Sequence, residues 1–354
     1  MLFKMTYSKE LIDRLYNGLP LSREDYIFLI ANRSPEISSY LFESARKKRE
    51  EFYGKKVFIR GLIEFTSYCK NDCLYCGLRR SNKNAGRYRL NEEDILLCCT
   101  HGYELGFRTF VLQGGEDPYY TDKKMISIIS SVKKRFPDCA LTLSAGEKSR
   151  TSYQDFFDAG ADRYLLRHET ADPAHYGRLH PREMSFENRM RCLHDLKDIG
   201  YQVGCGFMVG SPFQTIGNVA DEMLFLREFR PHMVGIGPFI PHHDTPFADK
   251  TGGSADLTIF LLGLIRLTLP YVLLPSTTAL GTIHPKGREL GILAGANVVM
   301  PNLSPEEARK QYMIYDNKLN TGAESADGLN ALCQKIETIG YSVVTDRGDC
   351  NTSQ

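Results

Sequence analysis

The chain has 354 residues, 42% of them hydrophobic, which is enough for a large core. Its 44 Lys and Arg balance 43 Asp and Glu to a net charge of +1, which excludes the basic surplus of a general nucleic-acid binder. No apolar run approaches the ~18 residues of a membrane span, and the first residues lack a signal-peptide apolar core, so the ten cysteines are expected as reduced thiols in a cytosol.

Residues 8–55 read as helices. Ser22-Arg23-Glu24-Asp25 has the spacing of a capping box, and 38–51 is amphipathic, ending in a charged run over 46–51 that reads as a solvated face. From Lys56 the texture changes. Eight short apolar segments, 57–65, 109–113, 140–144, 163–167, 202–209, 233–238, 271–277 and 296–300, alternate with longer periodic ones. Helices are predicted over 92–105, capped by Asn91 and stopped by Gly106, over 152–158 before Gly160, over 186–199 before Gly200, and over 219–229. Eight apolar strands alternating with helices predict the α/β class and a closed parallel (β/α)8 barrel of the TIM type. An open doubly wound sheet is the alternative. The barrel is expected over 56–302, with an N-terminal helical extension (1–55) before it and a C-terminal helical cap and tail (303–354) after it. From Asp346 onward the tail is expected to fray.

In such a barrel functional side chains stand at the C-terminal ends of the strands. Directly after the first strand come Cys69, Cys73 and Cys76, spaced C-x3-C-x2-C, with Tyr75 before the last cysteine and Gly77 after it. Three thiolates on one loop can hold three irons of a cubane cluster and leave the fourth open to a substrate or cofactor. A structural zinc ion is the alternative, but it ordinarily takes a fourth Cys or His at short range, and the nearest His is His101.

The second strand runs into Gly114-Gly115-Glu116, where the glycines permit close approach of a ligand and the carboxylate can accept from an ammonium group. An ordinary turn is the plainer reading. In the fourth strand Arg163, Arg167 and Glu169 share a face by period two. Charges pointing into a barrel pair with one another or bind something charged. His168 falls on the opposite face, as a structural residue. Ser185 can cap a helix that presents Arg189 as a bidentate fork, against the plainer reading of an ordinary surface Arg. Thr277 and Thr278 put hydroxyls at the end of the seventh strand, and Gly235 and Gly237 flank Ile236, where an adenine ring could approach or the glycines merely serve packing. Arg79, Arg80, Lys83, Arg87 and Arg89 read as a solvated loop or as a dock for an acidic electron donor. The other seven cysteines show no ligand spacing.

The cysteine loop resembles that of the radical S-adenosylmethionine enzymes. The resemblance narrows to FeFe-hydrogenase maturases of the HydE type through Cys73-Leu74-Tyr75-Cys76-Gly77-Leu78-Arg79-Arg80, Gly115-Glu116-Asp117-Pro118-Tyr119, the segment 163–170, the segment 185–189 and Thr277-Thr278-Ala279, and it spans residues 55–315. It implies one 4Fe–4S cluster on Cys69, Cys73 and Cys76, whose open iron takes S-adenosylmethionine for reductive cleavage to a 5′-deoxyadenosyl radical. By position, Tyr75, Gly115, Glu116, Glu169, Arg189 and Ile236 would contact that cofactor. Thr142, Arg163, Arg167, Met233, Thr277, Thr278, Tyr312 and Tyr315 would line the substrate cavity.

The resemblance further implies a cysteine-derived small-molecule or organometallic substrate on the way to the dithiomethylamine bridge of the hydrogenase active site. It implies an external one-electron donor of the flavodoxin or ferredoxin type and other maturation proteins as partners, with neither nucleic acid nor membrane. Some maturases of this type carry three further cysteines near the C-terminus for a second cluster. Here the last fifty residues hold only Cys333 and Cys350, so a second cluster is not expected. The competing readings are a methylornithine synthase-like mutase or biotin synthase-like enzyme of the same chemistry, and a non-catalytic iron–sulfur carrier or scaffold.

Overall fold

The computed structural model describes residues 2–320 and 325–351. Three helices come first: α1 (Leu2–Tyr16), α2 (Arg23–Ala31) and α3 (Pro35–Tyr53). The Ser22–Asp25 capping box forms as its spacing predicts, Ser34 caps α3, and Pro35 takes the first turn, where its missing N–H costs nothing. The charged run at the end of α3 is not wholly solvated. Arg49 is buried, stacks 4.0 Å over the Tyr341 ring and donates to the Lys56 carbonyl at 2.6 Å.

The first barrel strand is broken at Arg60 into β1 (Lys56–Ile59) and β2 (Gly61–Thr66). There follow α4 (Glu92–Glu104), β3 (Thr109–Gly114), α5 (Asp122–Arg135), β4 (Ala140–Ser144), α6 (Arg150–Asp158), β5 (Arg163–Leu165), α7 (Pro173–Leu179) and α8 (Phe186–Ile199). The predicted stops Gly106, Gly160 and Gly200 all have positive φ, the conformation that favours glycine beyond a helix end. Two further predicted strands are divided in the same way as the first. Gly206 separates β6 (Gln202–Cys205) from β7 (Met208–Val209). After α9 (Ile216–Phe229), Gly235 and Ile236 separate β8 (Met233–Val234) from β9 (Gly237–Pro238). Then come α10 (Ala255–Thr268), α11 (Thr278–Ile283), α12 (Gly287–Leu293), β10 (Val298–Val299), α13 (Glu306–Gln311), α14 (Leu329–Thr338) and β11 (Ser342–Val344).

Six strands form one parallel sheet in the order β2-β3-β4-β5-β6-β8. The circuit continues through single parallel bridges, Met233 to Leu273 and Pro275 to Val298. Strand β10 then pairs with β1, and Leu62 bridges to Asn302. Eight segments therefore follow one another around a TIM-type barrel, with helices outside. The predicted strand 271–277 contributes only bridges, and within it Pro275 has no N–H to donate to a ladder. No described helix is long and apolar enough to cross a membrane.

The C-terminal segment departs most from expectation. Instead of fraying, residues 342–351 close the N-terminal mouth of the barrel. Strand β11 pairs in parallel with β1, on the side opposite β10. Beyond it the Arg347 carbonyl accepts from Thr109 Oγ1 at 2.7 Å, Asp349 accepts from Gln202 Nε2 at 2.9 Å, and the Cys350 N–H donates to Gln202 Oε1 at 3.1 Å.

Candidate active site

The cysteine loop is a built structure. The Arg87 guanidinium donates to the carbonyls of Ser67, Leu78 (3.0 Å), Arg79 (2.9 Å) and Asn82 (3.2 Å), gathering the loop around one cation. Asp72, directly before Cys73, takes both arms of Arg79 at 2.8 and 2.7 Å and two bonds from Ser81 at 3.0 and 2.8 Å. Arg89 grips Asp117 in the same bidentate way. Three of the basic residues beside the loop are thus structural clamps rather than a solvated stretch. Three distant segments hold the loop from outside: the Lys70 N–H donates to the Glu116 carbonyl, Leu74 to Leu179 and Gly77 to Ile314, each at 2.9–3.0 Å.

All three thiols are free and half-buried. Burial raises the pKa of Cys69, carries Cys76 up to about 12 and lifts Cys73 far above the ordinary thiol value, where the negative charge of a neighbouring thiolate adds to the effect. A nucleophilic cysteine needs the opposite shift. Thiols kept protonated by burial become thiolates only when a cation compensates them, so this donor set fits a metal centre.

A cavity of about 260 Å³ opens beside the loop, walled by Cys73, Tyr75, Cys76, Arg167, Glu169 and Thr277, with Tyr315, Met208, Phe239 and Ile240 among the other lining residues. Glu169 has φ 66°, an uncommon conformation for a carboxylate residue and one that costs on the order of 1–3 kcal/mol. It is over-determined by its surroundings. Its N–H donates to the Gly206 carbonyl at 3.0 Å, and the preceding His168 donates from Nε2 to Glu222 at 2.7 Å while its Nδ1 accepts from Gly206 N–H at 3.3 Å. Glu169 Oε2 lies 3.1 Å from Arg167 Nη2 but has no hydrogen-bond partner.

Ser185 caps α8 and sets Arg189 in its first turn. Arg189 donates from Nε to Glu147 and from Nη1 to the Arg167 carbonyl, both at 2.6 Å, so those two nitrogens are already committed. Glu116 is buried against Gly146, accepts from the Glu147 N–H at 3.0 Å and lies 3.3 Å from Lys70 Nζ. A Cβ on Gly115 would stand 2.2 Å from the Tyr68 carbonyl oxygen and 2.7 Å from Cys69 Cβ, so only glycine lets this strand end pass the loop. Tyr75 donates to His180 Nε2 at 3.1 Å, and His180 Nδ1–H donates to the Tyr176 carbonyl at 3.0 Å. Burial, reinforced by Arg189, lowers the His180 pKa to about 3, which keeps the ring neutral and Nε2 an acceptor.

Of the residues expected around the substrate, Arg167, Thr277 and Tyr315 line this cavity. Thr277 Oγ1 is buried without a partner and caps α11 by position only, and Thr278 is the first residue of that helix. Tyr312 is buried beneath, its ring 5.1 Å from Lys318 Nζ. Thr142 and Met233 lie deeper in the barrel. Two expectations need correction. Arg163 is not a wall of the cavity: it sits at the start of β5 and donates to Asp349 at 2.7 Å, to the Arg347 carbonyl at 3.0 Å and to Thr109 Oγ1 at 3.2 Å, as part of the barrel floor. Ile236 packs into the hydrophobic core, and Gly237 and Pro238 line the cavity instead.

Sequence reasoning missed Arg60, which breaks the first strand. Its Nη1 lies 2.7 Å from Met233 Sδ, while Nε and Nη2 are buried without partners, as is Thr142 Oγ1. Burial, with Arg163 nearby, holds its pKa well below the usual value. The available signal was an arginine in the middle of an apolar strand. Glu64, in the same strand, pairs with Lys318 at 2.7 Å and Asn302 at 2.8 Å, all three buried.

The radical SAM superfamily model matches residues 63–226. The chain is 46% identical over 308 residues to the FeFe hydrogenase maturase subunit HydE of Thermotoga maritima, covering 87% of this chain and 88% of that protein. It is 29% identical to 3-methylornithine synthase of Methanosarcina barkeri over 93% of this chain and 92% of the synthase. Among solved structures it superposes on methylornithine synthase with a TM-score of 0.82 at 27% identity, covering 94% and 97% of the two chains. On the hydrogenase maturase HydG it superposes with a TM-score of 0.78 at 19% identity, covering 96% and 76%, a likeness of fold.

Proposed function

The chain belongs to the HydE family of radical S-adenosylmethionine enzymes, and from that premise we propose that Cys69, Cys73 and Cys76 hold one 4Fe–4S cluster with S-adenosylmethionine beside it in the barrel mouth. The observation that carries this reading is a single cavity walled at once by two of the three thiols, by Tyr75 and by the Arg167–Glu169 pair. Bound there, the cluster held by these thiols would supply the electron for reductive cleavage of the sulfonium.

The protein's own residues orient and enclose. Glu169 lines the cavity and has a carboxylate oxygen without a hydrogen-bond partner, suited to the ammonium group of the methionine moiety. Arg189, fixed by Glu147, supplies positive charge on the carboxylate side, and Glu116 with Gly115 backs the loop. Tyr75, locked by neutral His180, packs on the adenine side. Arg167, Thr277 and Tyr315 face the substrate, with Thr142, Met233, Thr278 and Tyr312 around and beneath them. The maturase relative is much the more similar of the two relatives compared, which favours a cysteine-derived small-molecule or organometallic substrate on the route to the dithiomethylamine bridge. A flavodoxin or ferredoxin type of donor, contact with other maturation proteins and work in the cytoplasm complete the proposal.

The test is anaerobic incubation of reconstituted protein with dithionite and S-adenosylmethionine. 5′-Deoxyadenosine formation that disappears in Cys73→Ala supports the class, and its absence from cluster-replete protein overturns it. Rearrangement of added lysine would move the assignment to the mutase.

A further inference from the structure

Outside the cavity, ligand-type side chains converge where the segment around Asp316 meets the loop after β9. His242 and His243 lie in the loop after β9, and Asp316 directly follows Tyr315. Among the described residues, theirs is the group whose potential ligand atoms lie within 4.8 Å of one another. Consecutive side chains of an extended segment point to opposite sides. Here the two rings stack, 4.5 Å apart and 17° from parallel. Asp316 Oδ1 lies 2.7 Å from His243 Nδ1 and 4.0 Å from His242 Nε2. The carboxylate is fixed independently: Oδ2 accepts the His243 N–H at 3.0 Å, and the Asp316 N–H donates to the Pro241 carbonyl at 3.1 Å. His242 is only 5% exposed. It is wedged against Gly77, where a Cβ would stand 2.4 Å from His242 Cδ2.

We propose that His242, His243 and Asp316 form a binding site for a divalent transition-metal ion of the zinc type, separate from the cysteine loop. Two imidazoles and a carboxylate are a zinc donor set, and water completes the coordination. With bonds of about 2.1 Å, ligand atoms around a tetrahedral ion stand about 3.4 Å apart. The 2.7 Å separation must open and the 4.0 Å separation must close, each by less than an ångström. Binding displaces the proton between His243 and Asp316. It also moves the His242 ring proton to Nδ1, which gives up the bond accepted there from the Asp244 N–H at 3.1 Å. The ion ties the loop after β9, which supplies Phe239 and Ile240 to the cavity wall, to the segment that supplies Ile314 and Tyr315.

The experiment is zinc titration of anaerobically reconstituted holoenzyme, its cysteine loop filled, with bound zinc and iron counted separately and affinity read by calorimetry. The expected result is a single zinc per chain that raises the thermal midpoint. In His243→Ala and in Asp316→Asn the affinity falls about tenfold or more, since even outer-shell changes cost that much. Iron content should be unchanged in both variants, because neither residue is deeply buried. Zinc binding equally well to both variants, or no zinc binding to the wild type, overturns the proposal.

Discussion

Gly115 sets how closely the end of β3 approaches the cysteine loop, and its replacement by alanine tests whether that approach matters for catalysis. The added Cβ would stand 2.2 Å from the Tyr68 carbonyl oxygen and 2.7 Å from Cys69 Cβ. Non-bonded carbon contacts relax only near 3.5 Å, so the loop must retreat by about 1 Å, and the retreat falls on backbone joined to the first cysteine. A misplacement of that size costs on the order of 100-fold in rate, equivalent to about 2.7 kcal/mol on the barrier. The assay is 5′-deoxyadenosine formation per bound cluster, with iron counted first so that lost assembly and lost rate are told apart. Gly177→Ala is the control, because a Cβ there meets nothing within 4 Å and the residue lies in α7. Gly115→Ala with full iron and the wild-type rate would refute the reasoning.

Lys318→Met leaves Glu64 buried with Asn302 as its remaining partner. Breaking a buried pair from one side costs about 3–5 kcal/mol, which at about 2.1 cal/mol/K per residue lowers the melting temperature of this chain by about 4–7 °C. A shift below 1 °C by scanning calorimetry would mean the pair contributes little. His180 has its folded pKa near 3, below the unfolded value, so the unfolded chain binds more protons across that window and stability is lost as the pH is lowered. Between pH 6.5 and pH 5 this residue should cost about 2 kcal/mol. His180→Gln should flatten the pH dependence of urea denaturation by that amount, and parallel wild-type and variant curves would count against a neutral His180.

What could be read from the sequence was what is local. The Ser22 and Asn91 caps and the glycine stops each depend on a few neighbours, and each forms as read. Arg163 was misread because its partner Asp349 lies 186 residues away, and a charge on a barrel strand looks the same whether it awaits a ligand or its own chain. Arg49 was misread for the same reason, since the Tyr341 ring that covers it arrives from the far end of the sequence. The strand breaks at Arg60 and Gly206 escaped because apolar runs predict burial rather than ladder continuity. Tyr75 was named, but its lock on His180 depends on a histidine 105 positions later.

The floor of the barrel has a consequence for how the molecule comes into being. Lys56 meets Asp346 across 290 positions, and β11 joins β1 at the same place. Every strand of the ring therefore leaves the ribosome before the segment that seals it from below. Until synthesis has passed Cys350, Arg163 lacks its counter-charge and the underside of the nascent barrel stands open to water. Completion of this fold is thus late in chain order, and any polypeptide fused close behind Cys350 would have to be accommodated while the seal forms.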